Sequence, residues 1–240
     1  MEVKNMDSLK GLTRKPKKNK MTMAERSNTL RAGVLGANDG ILTVVGVLFS
    51  VAVATTNQFT IMIAGLSDLL ACAFSMASGE YASVSSQKDT EKAAVESEKQ
   101  LLKTNFEDEL QTVATYYVMR GVSETTSLKI AQELMKKNAL ETIVRIKYGL
   151  ELGHYMNPWN AAFSSLVSAS SGGIFPLVAM TMLPVSIQWP GTIIAVILSV
   201  ALTGFLSAKL GDGLTKTAII RNVIVGIVTM CIHYYVGTML

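Results

Sequence analysis

Cysteine and histidine are scarce in this 240-residue chain, with two of each. Cys72 and Cys231 lie in apolar stretches and have no CxxC partner, which excludes a disulfide framework or a cysteine-based zinc site and predicts two buried free thiols. His154 and His233 are isolated and receive no role. There is no paired nucleophile and base and no phosphate-binding loop, and the glycines from Gly33 to Gly40 fall in an apolar helix, so nothing supports an enzyme. The first 31 residues contain no apolar core of the kind that marks a secretory leader, which leads us to expect a mature N-terminus in the cytosol. Basic residues are missing from 57–60, from 184–189 and from the C-terminal end.

What remains is largely apolar. Hydrophobic residues make up 49% of the chain and the mean hydropathy is +0.34. The 17% of charged residues are concentrated in 1–31 and 86–158. Blocks 33–56, 61–85, 159–183, 190–208 and 217–239 each reach the roughly 20 residues of a membrane crossing, predicting five transmembrane helices. Nine of the 22 basic residues precede the first block and ten lie in 86–158, so the positive-inside rule puts the N-terminus in the cytosol and the C-terminus outside. The formal charge of +4 then reflects topology and contact with anionic lipid, not nucleic acid. The run from Arg14 to Lys20 reads as a solvated tail. A short chain with no sorting extension suggests the cell membrane of a bacterium.

Four regions follow: a basic tail (1–32), helices 1 and 2 (33–85), a cytosolic helical insert (86–158) and helices 3 to 5 (159–240). Residues 86–103 lack Pro and Gly, so helix 2 is expected to continue into the cytosol as a stalk. Apolar positions at Leu110, Val113, Ala114, Tyr117 and Val118 predict a helix over 107–120 ending at Gly121. Ser123 is the expected cap of a helix over 124–138, and 139–152 forms another. Asn157-Pro158-Trp159 closes the insert, with Trp159 at the membrane interface.

Asp39 and Asp68 interrupt the first two apolar blocks. A charge at mid-bilayer costs about 2.5–3.5 kcal/mol on insertion scales, so such acids usually serve an ion path or a hidden partner. Asp68, Cys72, Met76 and Glu80 advance by fours and share one face of helix 2, offering oxygen and sulfur donors suited to Fe²⁺ or Mn²⁺. Helix rise places Asp39 about 9 Å from Gly33 and Met76 about 22 Å from Ile61, at nearly one level. Asp68 falls about 12 Å beyond that level. Gly33, Gly36 and Gly40, with Ala71, Ala73, Ala77 and Gly79, would let helices 1 and 2 approach closely. Each donor also has a plain reading: Met76 and Cys72 as packing, Glu80 as an interface anchor, Asp68 as a bond to a neighbouring helix.

Gly36-Ala37-Asn38-Asp39-Gly40, Ser75-Met76-Ala77-Ser78-Gly79-Glu80-Tyr81, Ser85-Ser86-Gln87-Lys88-Asp89 and Asn138-Ala139-Leu140-Glu141 together resemble the vacuolar iron transporter family, in order from about Arg31 onward. The resemblance implies a homodimer with the ion path between subunits. It also implies export of cytosolic Fe²⁺, often also Mn²⁺, in exchange for H⁺, with no prosthetic group. Asp39 and Met76 match its intramembrane metal-path residues and Asp68 an acidic position on helix 2. The insert would be its metal-binding domain. Glu98 and Glu109 fit that role, but Leu101 and Thr112 stand where each Glu-x-x-Glu would be completed, Lys147 stands at a carboxylate position, and Ile143 and Val144 stand where methionines occur. A lysine there repels M²⁺, so the insert is expected to be a structural or dimerising element with a reduced metal store. A membrane scaffold or sensor and a passive divalent-cation channel are the alternative readings.

Overall fold

The computed structural model describes residues 23–239, with side chains from position 27 onward; the basic run 14–20 lies outside the described residues. Seven helices follow in order: α1 (Met23–Ala54), α2 (Gln58–Thr104), α3 (Phe106–Val118), α4 (Glu124–Tyr148), α5 (Pro158–Met182), α6 (Gln188–Leu210) and α7 (Thr215–Met239). Among the described residues there is no strand. Five helices, α1, α2, α5, α6 and α7, carry stretches long and apolar enough to cross a membrane. The fold is that of an all-α membrane protein.

Local chemistry sets the helix ends. Asn57 accepts hydrogen bonds from the amides of Phe59 and Thr60 at 3.0 and 3.2 Å, capping α2 three residues before the apolar block begins. Asn157 caps α5 through the Trp159 amide, with Pro158 at the first helical position, where its missing N–H costs nothing. Gly121 and Gly149 take φ of +88° and +68°, left-handed values that end α3 and α4 as only glycine does cheaply. The last insert helix therefore stops at Tyr148, short of the expected Leu152. The two helices expected over 124–138 and 139–152 are joined across a kink at Asn138 (φ −159°, ψ 86°). Asn138 Oδ1 accepts from the Glu141 amide and its Nδ2 donates to Glu141 Oε2 at 2.6 Å, so its side chain caps the restarted helix.

α1 is the axis of the bundle, packed against α2, α5, α6 and α7. Its Ile41, Val44, Val45 and Leu48 form the core with Ile61, Leu177, Met180, Val196 and Val200. Leu66, Leu70 and Phe74 on α2, with the outward residues of α5 to α7, stay exposed, as lipid-facing surfaces do. The α1 glycines serve a different neighbour from the one expected. A Cβ on Gly40 would collide with the carbonyl of Ala169, and one on Gly36 would lie 2.8 Å from the carbonyl of Ser165, both on α5. Gly172 of α5 meets Ala37 in the same way, whereas Gly79 of α2 has open space. Close approach thus joins α1 to α5, because small residues face each other there on both helices.

Beyond the bundle, α2 continues past the apolar block, and α3 and α4 pack on its far half. They enclose a second core of Val95, Leu110, Val113, Ala114, Ala131, Met135, Ile143 and Val144. Each Val, Leu, Ile or Met side chain among them contributes roughly 1.5–3 kcal/mol when buried from water, and the two alanines less. Ile143 and Val144 are fully buried there. Tyr81 and Trp159 stack at 4.7 Å where the bundle meets this unit.

Candidate functional site

Asp39 on α1 is half-buried and turned toward α2, where Cys72 Sγ donates to its Oδ2 at 3.2 Å. The expected level with Met76 is corrected by one turn. Counted from the short turn 55–57, Asp39 is about 22 Å down α1 and Cys72 about 21 Å down α2, because α2 begins at Gln58 and not at Ile61. Met76 packs one turn further on, against Cys72, Ala73 and Ala169. On the same count Asp68 lies about 15 Å down α2, so its axial offset from Asp39 is about 7 Å, not 12 Å.

Asp68 is half-buried and lies within electrostatic range of Asp39 and His233. Thr43 lies against the side chains of both Asp68 and Cys72 and gives its hydroxyl hydrogen to the carbonyl of Asp39 at 2.9 Å. Asp68 Oδ2 is buried without a hydrogen-bond partner, and so is Glu80 Oε2 two helical turns past Cys72. A buried oxygen left unmatched costs about 1–3 kcal/mol, more when charged. Among the described residues no three of His, Cys, Asp and Glu are gathered closely enough to hold a metal ion. The sequence-predicted face of α2 is real in its burial: Cys72 is buried and Asp68, Met76 and Glu80 are half-buried, while Leu70 and Phe74 point out. Cys231, expected to be buried, is exposed on the outside of the bundle.

Sequence reasoning missed several neighbours. His233 of α7 sits against Gly46, with Nδ1 3.5 Å from Ser50 Oγ. Asn38 Oδ1 accepts from Thr203 Oγ1 at 3.1 Å, and Asn222 Nδ2 donates to the same hydroxyl at 3.4 Å. This polar chain ties α1 to α6 and α7. The amides of Asn38 and Asn222 inside apolar α1 and α7 were its signals in the sequence. A cavity of about 420 Å³ with Ser164, Ser168, Ser171 and Thr203 in its wall lies between α1, α5 and α6, and Asp39 is not part of its lining.

In the insert, Glu98 of α2 and Glu109 of α3 are 1% and 5% exposed. Lys147, in the last turn of α4, places Nζ 3.2 Å from both Glu98 oxygens. The same Nζ lies 2.7 Å from Glu109 Oε1, to which it donates, and 2.6 Å from Oε2, which has the ionic contact without a hydrogen bond. Tyr148 donates its hydroxyl to Glu98 Oε1 at 2.8 Å. Burial works against the ammonium, yet the hydrogen bonds and charges of Glu109 and Glu98 outweigh it and hold Lys147 above the ordinary lysine range. The bond to Glu98 likewise raises Tyr148. Thr112 instead bonds the carbonyl of Asp108, and Leu101 has no carboxylate to offer.

Four apolar spans packed around a fifth, central one, whose Asp39 carboxylate faces α2, define an integral helical membrane protein. The chain belongs to the VIT family, which it matches over residues 30–238. It is 34% identical over 209 residues to a vacuolar iron transporter of Acanthamoeba castellanii, covering 87% of this chain and 77% of that one. Vacuolar iron transporter homolog 2.1 of Arabidopsis thaliana is 26% identical over 219 residues, with coverage of 90% and 84%. Over a shorter stretch of 71 residues, vacuolar iron transporter homolog 5 of Oryza sativa subsp. japonica is 44% identical, covering 30% and 34% of the two chains.

Proposed function

We propose that this chain moves Fe²⁺, Mn²⁺ or both out of the cytosol in exchange for protons. The reading is of a homodimer in a bacterial cell membrane, N-terminus inside and C-terminus outside. The carrying observation is the pairing of Asp39 and Asp68 inside the bundle with a buried Asp68 oxygen that nothing among the described residues satisfies. An acid in a membrane interior costs too much to persist without a task. The relatives' names, which speak of iron, support a transition-metal ion as the cargo. In this reading a hydrated M²⁺ enters near Glu80 and exchanges water for Asp39, with the sulfurs of Cys72 and Met76 beside it. It then passes to Asp68. Protonation from the far side releases it, since a neutral carboxyl is a poor ligand. Homodimerisation supplies the second set of donors that one chain lacks.

Flux of Fe²⁺ and Mn²⁺ in proteoliposomes, measured with and without a pH gradient, tests this. The proposal expects uptake driven by the gradient and proton movement opposite to the metal. Metal flux indifferent to pH would favour a passive channel, and no flux of either ion would favour a scaffold or sensor.

A further inference from the structure

Two ionised carboxylates buried together on different helices are stable only with a cation or a shared proton between them, because their repulsion and lost hydration would otherwise open the packing. Glu98 and Glu109 have one in Lys147, whose Nζ is 2.6–3.2 Å from all four of their oxygens. A divalent ion ligated by the pair would need the same point, at about 2.0–2.6 Å from those oxygens. Ammonium and M²⁺ therefore exclude one another by volume and by charge. Glu98 Oε1 is further occupied by the Tyr148 hydroxyl. The donors present do not fit a metal.

We propose that Lys147 is the insert's built-in cation: it latches the end of α4 to α2 and α3, and the insert folds without metal and holds none between Glu98 and Glu109. The placement gives the latch its leverage. Lys147 stands two residues before Gly149, where the chain leaves the insert for α5, while Glu98 rides on the same continuous helix as Asp68 and Cys72. The core residues Ile143 and Val144 sit one turn earlier on α4, so the ion cluster closes the end of an apolar seam. This inference concerns a site outside the membrane path and stands independently of the transport reading.

The test uses the full chain in detergent. Mn²⁺ is titrated by calorimetry into the wild type and into Glu98→Gln/Glu109→Gln/Lys147→Met, which keeps the shape of the cluster and removes its three charges. Equal Mn²⁺ stoichiometry is expected. One or more additional Mn²⁺ per wild-type chain would overturn the proposal. Amide exchange over 139–148 gives a second readout. Protection in the wild type and in Lys147→Arg should be indifferent to Mn²⁺ and to EDTA. Lys147→Met should lose at least about tenfold in protection and recover part of it with Mn²⁺, as the freed carboxylates accept the divalent ion. Failure of Lys147→Met to fold while the neutral triple variant folds is the same result in stronger form. Full protection in Lys147→Met, or a wild-type loss of protection in EDTA, would contradict the latch.

Discussion

In the bundle, Asp39 and Asp68 come within electrostatic range of each other with a thiol, a hydroxyl and a more distant imidazole as company. In the insert, Glu98 and Glu109 close on a single ammonium. Both pairs bring acids from two helices together, yet among the described residues only the second has an ion-pair partner. A pair with its own cation is complete and serves structure. In the transport reading proposed above, a pair lacking one, with a buried oxygen unsatisfied, is open to a cation that comes and goes. The chain matches one family along nearly its whole length, and these two sites show how differently one kind of residue is used within it.

The comparison can be broken at either site. The largest effect is expected at Asp39: Asp39→Asn keeps the shape, loses the charge and should reduce metal flux to that of empty liposomes without changing the thermal midpoint. Lys147→Met should leave the path intact but destabilise the insert by about 2–3 kcal/mol. This is below the roughly 3–5 kcal/mol of a fully buried broken pair because the lysine side chain is 24% exposed. Urea melts of the full chain followed by far-ultraviolet dichroism would measure it. Gly40→Ala should cost about 1–3 kcal/mol by forcing α1 off α5. Gly79→Ala, with nothing near its Cβ, should be neutral or gain up to about 1 kcal/mol from helix propensity. The smallest effect expected is a loss of a few-fold in Fe²⁺ flux on Met76→Ala with a lesser loss for Mn²⁺, since soft sulfur favours the softer ion; equal losses would remove sulfur from the selectivity argument.

The latch also has a pH signature. Lys147 is raised on folding, so its contribution is fully present below the unfolded lysine value of about 10.4 and disappears as pH rises through the folded value. Insert stability measured by amide exchange should not show a latch-dependent loss between neutral pH and about pH 9. A loss that Lys147→Arg cures should appear only in strongly alkaline solution.

Much of the fold was legible because membrane spans are written in composition and their ends in short-range chemistry. Asn157 and Pro158 act within a few residues of their own position and were read, whereas the same local chemistry at Asn57 and Gly149, which sets the start of α2 and the end of α4, was not. Even the break after Asn138 was visible, though its form as a kink capped by the Asn138 side chain was not. The site was legible only in part. Asp39, Asp68 and the α2 face announced themselves by residue type and spacing. Which turn of α2 meets Asp39 depended on a three-residue difference in where that helix starts. Thr43, His233 and the Asn38–Thr203–Asn222 chain were hidden, because their meaning lies in contacts between elements far apart in sequence. The glycines of α1 were read as close-approach residues correctly but assigned the wrong partner. Spacing along one helix identifies a smooth face and not what packs on it.

The most direct measurement compares Mn²⁺ flux down a proton gradient in proteoliposomes containing the wild type, Asp39→Asn, or the neutral insert variant Glu98→Gln/Glu109→Gln/Lys147→Met. The account predicts that Asp39→Asn is inactive and that the insert variant transports at the wild-type rate. Wild-type flux through Asp39→Asn, or loss of flux in a folded insert variant, would contradict it.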